Sequence, residues 1–206
     1  MVMNKVITIS RQYGSGGREI GEKLAKELEI PFYDNEIITR AAKQSGFAEA
    51  AFQRAEQKAT NSLLYSIAMG LNSYGNQEFG FSTLSIDDQI YLAQSEVIHK
   101  MADEGPCVMV GRCADYLLRE KSNVMNVFIW ASLESRVKRA VEVYDMPPHK
   151  AAEQILKIDK RRANYYNYHA NEKWGRADNY HMCIQSDFVG IDGTVELLKN
   201  FILKGE

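Results

Sequence analysis

The most constraining stretch of this chain lies near its beginning. A short β-branched run, Lys5–Ser10 (KVITIS), passes directly into Ser10-Arg11-Gln12-Tyr13-Gly14-Ser15-Gly16-Gly17-Arg18. Behind this glycine cluster Ile20, Leu24 and Leu28 recur at spacing four, the stripe of an amphipathic helix predicted over 17–29. The order is strand, glycine turn, helix. Glycines accept positive φ and let another group approach the backbone without meeting a Cβ. Such a loop turns its backbone N–H groups, together with the positive end of the helix dipole, toward an anion such as phosphate.

The same alternation continues. Ile30–Tyr33 predicts a second strand, and Asp34 is placed to cap a helix whose inner face is Ile37, Ile38 and Ala41. Residues 47–59 read as helical, and 73–85 (SYGNQEFGFSTLS) as a mobile loop exposing Phe79 and Phe81. Ser85 and Asp88 open a capping-box helix carrying Ile90, Ala93, Val97, Ile98 and Met101, which Gly105-Pro106 closes. Cys107–Val110 is a buried-type strand ending in Gly111-Arg112, with a short helix over 115–119. Val124–Ala131 is another strand, and Ser132 caps the helix after it. Pro147-Pro148 is a local hinge before a helix with Ala151, Ala152, Ile155, Ile158 and Arg162. A last strand over His181–Gln185 and a closing helix over 194–203 complete an α/β pattern without internal repeats.

Composition narrows the classes of function. The chain has 206 residues, 45% apolar and 25% charged, which suits one domain of the larger kind and excludes wholesale disorder. A net charge of −2 argues against a dedicated binder of long nucleic acid. The charge is uneven, however. Ten Lys/Arg stand against five Asp/Glu between Arg136 and Arg176, so a basic segment sits in an otherwise acidic chain and suggests a local anion site. No apolar run approaches the roughly 18 residues that span a bilayer, and the N-terminus does not read as a signal peptide. Cys107, Cys113 and Cys183 form no CxxC pair and are expected as reduced thiols, and the four His have no ligand spacing. A cytoplasmic location follows as the expectation.

On the glycine loop, the chain resembles the P-loop nucleoside monophosphate kinases, and within them the cytidylate kinase-like family. The usual loop pattern GxxxxGK[ST] is degenerate here. Matching Gly16 to its second glycine puts Arg11 at the first glycine, Gly17 at the lysine and Arg18 at the hydroxyl position. Asp34-Asn35-Glu36-Ile37-Ile38-Thr39-Arg40 is similar to the segment flanking the monophosphate acceptor, Gly111-Arg112 to the Gly-Arg-Asp motif, and Asp159-Lys160-Arg161-Arg162 to the arginine-rich lid helix.

The resemblance implies a three-layer P-loop kinase fold, a parallel sheet flanked by helices, as a single domain. An acceptor-binding insertion would occupy about 34–104 and a lid about 145–178. It implies ATP and Mg²⁺ as cofactors, small-molecule nucleotide substrates, and phosphoryl transfer to a nucleoside monophosphate or a similar small phosphate acceptor. Donor phosphates would be held by Arg11, Gly14, Ser15, Gly16, Gly17 and Arg18, and the acceptor by Asp34, Arg40 and Arg112. Arg18, Arg161, Arg162 and Asp159 would act in transfer. Ser186 and Asp187 would lie near the donor base, and Glu19, where the loop's second hydroxyl normally falls, near the metal. Tyr165, Tyr166, Tyr168 and His169 follow the lid arginines and are placed to stack on a base or to pack the lid. Two alternatives stay open: a non-catalytic nucleotide-binding protein that kept the fold, and a kinase for an unrelated small molecule.

Overall fold

The computed structural model describes residues 5–58 and 85–204. The loop expected over 73–85, with Phe79 and Phe81, lies outside them except for Ser85. Five strands, β1 (Val6–Arg11), β2 (Phe32–Tyr33), β3 (Cys107–Val110), β4 (Val124–Trp130) and β5 (Met182–Gln185), form one parallel sheet in the order β2-β3-β1-β4-β5. Helix α1 (Gly17–Glu27) follows β1; α2 (Asn35–Ser45), α3 (Glu49–Lys58) and α4 (Ile86–Glu104) lie between β2 and β3. The short α5 (Ala114–Leu117) leads to β4. Then come α6 (Leu133–Tyr144), the long α7 (Pro148–Ala170), and, after β5, α8 (Ser186–Val189) and α9 (Ile191–Lys204).

Side chains alternate across the strands, and both faces are covered, which is why the strands read as continuous apolar runs. Val6, Cys107 and Met109 point to one face, packed under Ile37 and Ile38 of α2, Phe52 of α3, and Ile98 and Met101 of α4. Ile7, Ile9, Val108, Val110, Val127 and Ile129 point to the other, against Ile20 and Leu24 of α1 and Val195, Leu198 and Ile202 of α9. Thr8 and Ser10 are buried polar residues of β1. The Thr8 hydroxyl donates to Asn126 Oδ1 at 2.8 Å, so the buried pair satisfies itself. No disulfide occurs among the described residues, and burial pushes the Cys107 thiol up to about 12. Among the described residues no helix is long and apolar enough to cross a membrane.

Several boundaries follow from local chemistry. Ser85 Oγ accepts from Asp88 N–H at 3.1 Å and starts α4; Ser132 Oγ accepts from Ser135 N–H at 3.3 Å and starts α6. Pro148 at the first position of α7 has no N–H to leave unsatisfied. The topology then positions the site. From β1 the chain goes outside β3, returns to it, and crosses to β4 on the other flank of β1. Register pairs Ile9 with Val110 and Arg11 with Ile129. Arg11, Asp34 and Gly111-Arg112, at or just beyond the carboxyl ends of β1, β2 and β3, therefore reach one crevice beside the change in strand direction.

Candidate active site

The glycine loop is anchored at both ends. Gln12 N–H donates to Ile129 O at 3.0 Å, Ser15 Oγ donates to Gln12 O at 2.8 Å, and Ser186 Oγ donates to Ser15 O at 2.6 Å while lying 3.1 Å from Trp130 O. Gly14 (φ +78°) shows why the loop needs glycine. A Cβ there would also sit 2.8 Å from Arg136 O, so α6 packs directly on the loop backbone. Gly16 serves as the N-cap of α1 without a side-chain cap, and the helix start faces outward from the end of the sheet.

A second layer closes over this loop. On α7, Asp159 accepts the Tyr13 backbone N–H at 2.7 Å and pairs with Arg136 Nη1 at 2.5 Å. Arg136 and Asp159 are both buried. Burial raises the Asp159 carboxyl above its ordinary range, against the Tyr13 amide and Arg136, which lower it. Three residues on, Arg162 Nη1 donates to Arg11 O at 3.0 Å and its guanidinium lies 5.5 Å from the Tyr13 ring centre. Helix α7 is therefore latched to the loop on both sides of Gln12.

Between loop, α7 and the ends of β2 and β3 lies a cavity of about 400 Å³. Its walls carry Arg11, Arg18, Arg112, Arg161 and Arg162, with Ser10, Asp34, Asn35, Tyr165, Tyr166 and Trp174. Gly111, Arg112 and Cys113 are three successive positive-φ residues (78°, 60° and 56°), two of them not glycine. Left-handed conformations at ordinary residues cost about 1–3 kcal/mol each and cluster at functional sites. Here the run turns the chain sharply from β3 into α5 and brings Arg112 to the cavity wall.

The sequence-predicted residues divide accordingly. Arg11, Arg18, Asp34, Arg112, Arg161 and Arg162 line one cavity, and Asp159 sits beside it on the loop. Asp34 occupies the N-cap position of α2 without capping it; its carboxylate takes Arg18 Nε at 2.9 Å and lies 4.0 Å from Arg11 Nη2. Four others, Arg40, Ser186, Asp187 and Glu19, are not on the cavity wall. Arg40 is away from the cavity, on the outer face of α2, paired with Glu36 at 2.9 Å and Glu104 at 3.2 Å and lying over the Tyr33 ring. Ser186 holds the loop carbonyl of Ser15. Asp187 accepts from the Ser132 hydroxyl and amide, and the hydroxyl's hydrogen bond keeps its carboxyl below the ordinary range. Glu19 faces α6 and α9, not the cavity. Partial burial pulls its pKa up, but hydrogen bonds from Arg139 and Lys23 outweigh that and hold it low. No group of three His, Cys, Asp or Glu able to hold a metal occurs among the described residues.

A family model described as the cytidylate kinase-like family matches residues 6–187. The chain belongs to the cytidylate kinase-like family. It is also similar to a solved, uncharacterised protein from Eubacterium ventriosum, 26% identical with a TM-score of 0.71 over 96% of this chain and 98% of that one. Shikimate kinases from Bacteroides thetaiotaomicron (12% identity, TM-score 0.53, 97% and 98% covered) and Acinetobacter baumannii (13%, 0.52, 100% and 96%) share the fold. No curated protein matches.

Within this family member, sequence reasoning missed Arg136, Trp174 and the role of Asp115. Arg136 lies four residues before Ala140, on the same buried face of α6, which was the available signal. Trp174 offered none beyond its residue type. Asp115 is buried behind the cavity, against the Tyr166 hydroxyl, which also lies 3.4 Å from Glu172. Burial pushes the Asp115 carboxyl up to about 6. His169, stacked 4.0 Å from Tyr91 and touching Tyr165, is pushed down by burial to about 4.

Two predictions follow from this geometry. Asp159→Ala strips the buried Arg136 of its carboxylate and should cost about 3–5 kcal/mol in urea unfolding, with a smaller loss in Asp159→Leu/Arg136→Met. The second concerns pH. Because the folded pKa of Asp115 is raised, its contribution is fully present below about pH 4 and is lost as pH rises through 6, about 3 kcal/mol in all. His169, with a lowered folded pKa, changes stability in the opposite sense over the same window. The check is thus the difference between Asp115→Asn and the parent, which should grow in favour of the variant from pH 4 to 6.5. A constant difference contradicts the assignment.

Proposed function

We propose that this protein transfers the γ-phosphoryl group of Mg·ATP to a small acceptor, with a nucleoside monophosphate of the cytidylate kind as the first candidate. One observation carries the reading: five arginines and a single carboxylate, Asp34, converge on a cavity of about 400 Å³ beside the glycine loop. Such an excess of positive charge in a cleft concentrates anions. Phosphoryl transfer needs positioning, charge neutralisation and exclusion of water more than covalent help. The loop amides of Gly14–Arg18 suit the donor phosphates, and Arg112 suits an acceptor anion. Arg161 and Arg162, from the segment 145–178 acting as lid, suit the charge in transit, while Asp34 offers an acceptor for a hydroxyl. The segment 34–104 would shape the acceptor side. Membership of the cytidylate kinase-like family supports the same chemistry.

A second reading, a nucleotide-binding protein without turnover, draws support from two features. Gly17 stands where the pattern has lysine, and Asp159 occupies the Tyr13 amide. ADP formation with Mg·ATP and a panel of nucleoside monophosphates and small hydroxy acids separates them. The kinase reading expects turnover on at least one acceptor. Arg112→Ala should lower kcat/KM on the order of a hundredfold, and Arg40→Ala, whose ion pairs are exposed, should change it less than about threefold. ATP binding with no turnover on any acceptor favours the second reading.

A further inference from the structure

Resting on that reading, we infer that Arg11 supplies the phosphate-facing cation that the usual loop pattern draws from a lysine at the position of Gly17. Residues 11 and 17 face each other across the loop. A Cβ on Gly17 would lie 2.6 Å from Arg11 Cβ and 3.0 Å from Arg11 Cγ, closer than real Cβ atoms pack. Only one of the two positions can therefore carry a long side chain. The usual pattern gives it to 17 and leaves 11 as glycine; this chain does the reverse.

The path of the Arg11 side chain is fixed further along. Its guanidinium lies against the backbone of Gly111, where a Cβ would clash with Arg11 Nη1 and lie 3.2 Å from Cζ. Gly17 and Gly111 together form a slot for one arginine, entered from the end of β1 and opening on the cavity wall. The guanidinium emerges between the start of α1 and Arg112, with Nη2 4.0 Å from Asp34 Oδ1. Arg162 holds the Arg11 carbonyl at 3.0 Å, so the residue bearing the cation is also the one the lid grips. Arg18, the neighbour in sequence of the missing lysine, is placed differently. Its side chain is 56% exposed and spans Asp34 and Glu22 on the outer rim of α1. A planar guanidinium in the slot can meet two phosphate oxygens at once, where an ammonium meets them as a point charge.

The test uses Arg11→Met, which keeps the stem and loses the charge, Arg11→Lys, Arg11→Gly, and the exchange Arg11→Gly/Gly17→Lys. Affinity for inorganic pyrophosphate and for Mg·ATP is measured by calorimetry, beside turnover and thermal melting. Arg11→Met should melt near the parent yet bind pyrophosphate at least about thirtyfold more weakly, with a rate loss on the order of a hundredfold. Arg11→Lys should fall between them, and the exchange should bind at least about tenfold tighter than Arg11→Gly, equivalent to one charged contact restored. Arg11→Met binding within twofold of the parent overturns the inference. So does an exchange protein no better than Arg11→Gly, the comparison that decides if Arg11→Met does not fold. A parent that binds Mg·ATP and turns over no acceptor removes the kinase reading alone, and Arg11 is then judged on affinity. A parent that binds neither probe removes both.

Discussion

The Asp159 carboxylate joins three parts of the molecule that are far apart in sequence. It takes the Tyr13 amide on one oxygen and the buried Arg136 guanidinium on the other, linking the glycine loop, α6 and α7. A charge pair removed from water is costly unless its geometry and remaining hydrogen bonds are good, and the Tyr13 amide supplies one of those bonds. With Asp159 in place, α7 is held down over the end of the sheet and its next turn delivers Arg161 and Arg162 to the cavity. The loop is held from the other side by Ser186 and by the contact of Gly14 with the backbone of Arg136. A rigid loop between two packed helices keeps its amides aimed in one direction, which is what preorganised binding of an anion requires.

Five arginines face one carboxylate on the cavity wall among the described residues. That carboxylate, Asp34, gives up helix capping to reach Arg18 and Arg11. The positive-φ run from Gly111 to Cys113 holds Arg112 at a cost that only the surrounding structure can sustain. Behind it, the buried Asp115 meets the Tyr166 hydroxyl, which lies 3.4 Å from the exposed Glu172. These features make the end of the sheet a place where conformational strain and like charge are both concentrated.

Much of this was legible in the sequence because its signals are local. The run KVITIS, the glycine cluster, the spacing of Ile20 and Leu24, and the caps Ser85 and Ser132 each predict an element that the fold contains. Long-range pairings were not legible. The resemblance sets Asp34 and Arg40 together at an acceptor, but six residues is about one and two-thirds helical turns, which carries Arg40 to another face, toward Glu36 and Glu104. Arg136 reads as one more solvated charge in a basic segment, because its partner lies 23 residues away on the next helix. Glu19, Ser186 and Asp187 were read from their neighbours in sequence, whereas their hydrogen bonds go to Arg139, Ser15 and Ser132. The reversal of arginine and glycine at positions 11 and 17 is visible as letters. Its meaning needs the distance between their Cβ positions.

On the proposed function, the backbone between Gly14 and Arg18 receives the phosphates of a nucleotide. Amide hydrogen exchange with and without Mg·ATP addresses that backbone directly. Slower exchange is expected at the amides of Gly14, Ser15, Gly16 and Gly17 when Mg·ATP is present, with the far end of α9 unchanged. Unchanged exchange across the loop at a saturating concentration of Mg·ATP, or slowing confined to other surfaces, would contradict it.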